Sequence, residues 1–83
     1  MRGTRPAVVG QIALPTGNIE PLTGYITGDR SHDRGVVRTG WEIEVSERIL
    51  VLRVVSTSTG SLWYEVLSER GVAWIRAEWA VTV

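Results

Sequence analysis

His32 is the only histidine of the chain, and it stands beside Asp33, after Ser31 and three residues after Asp29. An imidazole next to a carboxylate can act as a general base, and Asp29, His32 and Asp33 together offer a ligand set for a divalent cation. Both chemistries lack a setting. The loop Gly28-Asp29-Arg30-Ser31-His32-Asp33-Arg34-Gly35 holds no apolar side chain to exclude water, so its groups read as a solvated loop. Ser31 and His32 are adjacent, which does not aim a nucleophile at its base. There is no cysteine, which removes thiolate nucleophiles, thiolate metal sites and disulfides. No glycine-rich phosphate loop and no paired metal motif occurs. The expectation is a protein that is not an enzyme, with no catalytic residue, no metal, no cofactor and no small-molecule substrate.

The chemistry that remains is contact chemistry. All nine cations are Arg, balanced by nine carboxylates to a formal charge of zero. Guanidinium groups suit carboxylates, phosphates and aromatic faces. Four Trp and two Tyr are the only aromatics, since Phe is absent. Both types carry a polar tip and suit the rim of a core or an interface. Arg2, Arg5, Arg30, Arg34 and Arg38 give the first forty residues a slight positive excess over Glu20, Asp29 and Asp33. Bases could stack on Trp63 or Trp74, so a nucleic-acid-binding small barrel using Arg and Trp is the alternative reading. A neutral chain lacks the basic patch that phosphate binding usually needs, and core packing is the expected job of Trp74. An aromatic cage for methylated cations explains the four Trp with more assumptions than packing does.

At 83 residues the chain is one domain with a modest core. No apolar run reaches bilayer-spanning length, and no signal-peptide pattern is visible. The expected location is cytoplasmic or within a virion, neither secreted nor membrane-bound; the lack of cysteine fits a reducing compartment.

The two halves differ in character. Residues 1–40 hold all three prolines and seven of the nine glycines. The apolar run Ala7–Leu14, broken by Gly10 and bounded by Pro6 and Pro15, predicts an edge strand or an extended arm. Trp41-Glu42-Ile43-Glu44-Val45 alternates strictly, as a half-buried strand does. Ile49 to Val55 is apolar except at Arg53 and predicts a central strand. The runs Leu62–Leu67 and Val72–Arg76 flank Ser68-Glu69-Arg70-Gly71, which predicts a hairpin. Ala77-Glu78-Trp79 follows as one helical turn, then Ala80–Val83 as a last short strand. Five or six short strands with close turn signals predict an all-β barrel or small sandwich.

The last forty or so residues resemble the Src-homology-3-like small β-barrel, in the style of small phage-encoded or bacterial members. Trp63-Tyr64 stands as the aromatic pair that opens a strand, with Val66 pointing inward and Gly71 at the turn. Trp74-Ile75-Arg76-Ala77-Glu78-Trp79-Ala80 follows the family's closing pattern. The resemblance implies a groove lined by Trp63 and Trp79, with Glu42, Glu44 or Glu47 as an acidic loop. No tyrosine-rich early strand is present, and Arg76 stands where peptide-binding members carry a proline. The implied surface is therefore a divergent one around Trp63, Arg76 and Trp79 rather than a groove for proline-rich peptides.

The expectation is a small Src-homology-3-like barrel over 36–83, with residues 1–35 forming an extended arm or added edge strands; the equal alternative is that residues 7–38 add two or three strands to a slightly larger barrel. The expected function is a non-catalytic interaction or structural module in a larger assembly, such as a phage virion. Its partner would be another protein or copies of itself, met by Trp63, Arg76 and Trp79 on the barrel and by Val8, Val9 and Ile12 on the arm. On that view, removing residues 1–20 leaves a folded barrel.

Overall fold

The computed structural model describes residues 7–24, 37–57 and 60–83. They form five strands, β1 (Ile12–Pro15), β2 (Ile49–Ser56), β3 (Leu62–Ser68), β4 (Gly71–Arg76) and β5 (Ala80–Thr82), with one 3₁₀ turn at Ala77–Trp79. The strands make a single sheet in the order β4-β3-β2-β1-β5, and every pairing is antiparallel. Among the described residues no helix is long and apolar enough to cross a membrane.

The alternation of β3 and β4 produces two distinct faces, because side chains opposite one another in a ladder point the same way. Tyr64 and Val66 pair with Ile75 and Ala73, and all four are buried. Tyr64, Val66 and Ile75 join Ala13 of β1, Ile49 and Val51 of β2, and Ala80 of β5 in one hydrophobic cluster. In a flat sheet β4 and β5 would lie about 19 Å apart, at roughly 4.8 Å per strand. A shared core therefore requires the sheet to curl over it. An irregularity between Val51 and Arg53 inserts an extra residue into β2, and such a bulge sharpens the local bend. The curl stops short of closure, since β4 and β5 do not pair.

The hairpin between β3 and β4 is tighter than four loop residues would make it. Ser68 pairs with Gly71 across a two-residue turn, Glu69-Arg70. Ser68 is buried; its Oγ accepts from the amides of Arg70 and Gly71 and donates to the Gly71 carbonyl. Gly71 has φ of 142°, a conformation that glycine adopts without steric cost.

The N-terminal segment departs most from expectation. The run 7–14 is not one strand, because Val8-Val9-Gly10-Gln11 forms a tight turn closed by the Gln11 amide on the Val8 carbonyl at 3.1 Å. Gly10 sits at its third position with φ of 93°, as a type II turn demands. β1 then enters between β2 and β5, so it is an interior strand and neither an edge strand nor an arm. The described part of the segment is spent inside the fold: Ala7, Ala13 and Ile19 are all in the core cluster. Pro15 is tolerated there because of register. Residues 12 and 16 bond β5 through Val83 N–H to Ile12 O and Thr16 N–H to Trp79 O, so 13 and 15 face β2. β2 begins at Ile49, opposite Ala13, and the missing N–H of Pro15 falls beyond its end.

Tyr64 ties this segment down. The Ala7 amide donates to the Tyr64 hydroxyl at 2.9 Å in a buried setting. Tyr64→Phe should lower unfolding free energy by about 1–3 kcal/mol, the cost of stranding a buried donor, in urea titration. A change within experimental error would show that water or another group replaces the hydroxyl.

The strand expected at Trp41–Val45 is reduced to one bridge. Ile43 is buried and pairs with Ile19 through bonds of 2.7 and 2.9 Å. The chain then turns, with the Glu47 amide on the Glu44 carbonyl, which leaves Val45 exposed.

Candidate functional site

The sheet face opposite the core carries the chemistry. Three rows of cross-strand neighbours lie on it: Val55–Trp63–Arg76, Arg53–Glu65–Trp74, and Leu50–Leu67–Val72. The first two rows place a guanidinium on an indole. Arg76 lies 5.3 Å from the ring centroid of Trp63, and Arg53 lies 5.5 Å from that of Trp74. Both distances are in the range of cation–π attraction. Each guanidinium also meets a carboxylate, Arg76 Nε with Glu78 at 3.1 Å and Arg53 Nε with Glu65 at 3.0 Å. The carboxylate fixes one edge of the guanidinium and so holds its plane near the ring.

Trp63, Arg76 and Trp79 come together at one end of the β3–β4 ladder. Trp63 and Arg76 are directly opposed on β3 and β4. The 3₁₀ turn brings Trp79 edge-on to Trp63, with centroids 6.2 Å apart and planes at 72°. Trp63 is only 1 % exposed, roofed by Arg76 and flanked by Trp79, while Trp79 itself is half-buried. The Trp63 indole Nε1 is buried without a hydrogen-bond partner among the described residues. A buried unpaired donor costs about 1–3 kcal/mol, and buried Trp N–H groups usually find an acceptor.

Other candidates are placed differently. Val8 and Val9 are 61 % and 64 % exposed on the turn before β1, and Ile12 is 39 % exposed. Ile12 lies opposite Leu50 and Leu50 opposite Leu67, in the apolar row four residues along β3 from Trp63, about 13 Å away. Ile12 therefore lies apart from the Trp63 cluster. Trp74 is 7 % exposed, yet it is turned away from Ile75 and the core and sits under Arg53. Arg53 was the one polar residue in an apolar run; together with the alternation of Glu65 and Trp74, it was the signal for this second stack. Of the proposed acidic loop, Glu42 and Glu44 are exposed, and Glu47 accepts the Glu69 amide at 2.7 Å.

Asp29, Ser31, His32 and Asp33 lie outside the described residues, as do Arg2, Arg5, Arg30 and Arg34. Arg38 is 3.6 Å from Glu20. Among the described residues no three His, Asp or Glu side chains group as metal ligands. No protein-family model matches the chain, and no curated protein or solved structure matches it either.

Proposed function

We propose that this protein is a non-catalytic protein-contact module of the Src-homology-3-like small-barrel type, working as a component of a larger assembly such as a phage virion. The likeness is supported by the hairpin, the single 3₁₀ turn and the last short strand, which follow one another in the order the small barrel requires. Curling of the sheet over one shared cluster supports it as well. The contact surface is Trp63, Arg76 and Trp79; in the N-terminal segment Ala7, Ala13 and Ile19 are held in the core cluster, while Val8, Val9 and Ile12 remain exposed.

One observation carries the reading: the Nε1 of Trp63 has no hydrogen-bond partner among the described residues, and the Arg76 guanidinium lies over the same ring. The Arg76 side chain is 35 % exposed, so swinging it aside requires no backbone change. That motion would open the indole N–H to a carbonyl oxygen of a partner and leave Trp79 as an apolar wall. The guanidinium, freed from the ring, could then meet a partner carboxylate in a bidentate pair.

A library of displayed random peptides selected on the folded protein tests this. Selected peptides should lose at least about tenfold in affinity on Trp79→Ala, as truncating an aromatic anchor typically costs, while thermal unfolding stays cooperative. Peptides that bind Trp79→Ala and wild type alike, or a selection that enriches none, would remove the surface from consideration.

A further inference from the structure

The two edges of the sheet are treated differently. The outer edge of β4 is covered by the chain itself: Leu22 and Trp74 exchange backbone bonds of 2.9 and 2.8 Å. The outer edge of β5 has no such cover among the described residues. Its residues 81 and 83 face β1, as the bond from Val83 N–H to Ile12 O shows. Residues 80 and 82 therefore turn their backbone groups outward. The Ala80 amide donates to the Ala77 carbonyl, which leaves the Thr82 N–H and C=O as a donor and acceptor pair without a partner among the described residues.

Exposed edges are ordinarily blunted by charge, proline or a bulge. Ala80-Val81-Thr82-Val83 has no charged side chain, proline or bulge; its one protecting feature is the shortness of β5, three residues. Its side chains are uncharged and rich in branched residues that favour strands, and Val81 and Val83 are 50 % and 70 % exposed. The same face continues through exposed Ile12 on β1.

We infer that β5 pairs antiparallel with β5 of a second copy of this chain, joining two sheets edge to edge about a two-fold axis at Thr82. The edge is self-complementary, which is what an isologous contact needs. With Thr82 opposite Thr82 of the second copy, each N–H meets the other's C=O. Val81 and Val83 then face Val83 and Val81 across the seam as two cross-strand pairs. No like charges oppose each other along the seam, and two chains of zero net charge do not repel at long range. A foreign strand could use the same edge, but identical uncharged edges need no complementary charge pattern. The contact is small and belongs with weak, concentration-dependent association. This inference stands apart from the surface around Trp63, since β5 supplies none of that cluster.

Sedimentation equilibrium of the full chain from micromolar to millimolar concentration, with hydrogen exchange at both ends of the range, is the test. The mass should climb from 9.2 kDa towards twice that value, and the Thr82 amide should exchange more slowly at high concentration. Thr82→Pro removes the outward N–H without breaking a bond to β1, and should weaken dimerisation at least about tenfold while the fold persists. Val81→Lys changes only an exposed side chain and should weaken it too, so the test survives if the proline variant misfolds. A chain that stays at 9.2 kDa throughout overturns the inference. So does a dimer whose Thr82 amide exchanges as fast as in the monomer, or a folded Thr82→Pro or Val81→Lys that dimerises like the wild type.

Discussion

A chain from which residues 1–20 have been removed will not fold. β1 lies between β2 and β5, so its loss leaves β5 with no neighbour and strips β2 of its partner on one side. The deletion cancels the bonds Gly10–Val51, Val51–Gln11, Thr16–Trp79, Val83–Ile12 and both Ile19–Ile43 bonds. Each is worth about 1 kcal/mol net. It also takes Ala7, Ala13 and Ile19 out of the core cluster and exposes the side chains that faced them. Small domains hold only about 5–15 kcal/mol of total stability, so losses of this order are fatal. Far-UV circular dichroism and tryptophan fluorescence should show no cooperative thermal transition. A truncated chain that still melts cooperatively would mean that 21–83 is an autonomous barrel and that β1 is an accessory.

The second large effect concerns Trp63. Trp63→Ala should cost about 3–5 kcal/mol, as removal of a fully buried large aromatic does. The side chain lies between the Arg76 guanidinium and the edge of Trp79. Trp63→Phe should cost markedly less, about 1–2 kcal/mol, because the N–H it deletes has no partner to strand and removing an unsatisfied donor recovers part of the lost packing. Urea unfolding of both variants measures the difference. Equal losses for Phe and Ala would show that the indole N–H is satisfied in the folded protein and is not held in reserve.

Much of the C-terminal half was legible because local patterns and long-range contacts agree there. The sequence pointed Val66 inward and marked the turn with Gly71; the full division, with Tyr64, Val66, Ala73 and Ile75 on one face and Trp63, Glu65 and Trp74 on the other, comes from the register of the ladder. Ala77–Trp79 and Ala80 onward behaved as their neighbours dictated. The N-terminal half was harder for a physical reason. Four residues ending in proline look like an edge, and only the register of β5 and the late start of β2 make Pro15 harmless in the interior. Alternation at 41–45 correctly put Ile43 inward, but periodicity cannot say that a chain bends after one bridge. At the candidate site, the pairing of Trp63 with Arg76 follows from hairpin register. That Arg76 closes over the ring, and that the ring's N–H is left unpaired, depends on side-chain placement that no sequence period encodes.

The most direct test of a contact surface centred on Trp63 is the ¹H–¹⁵N resonance of its indole during titration with a peptide selected on the folded protein. The expected result is a saturable shift of the Trp63 indole signal, lost in Trp79→Ala, with the Trp74 indole under Arg53 unmoved. A peptide that binds with the Trp63 signal unchanged would contradict it.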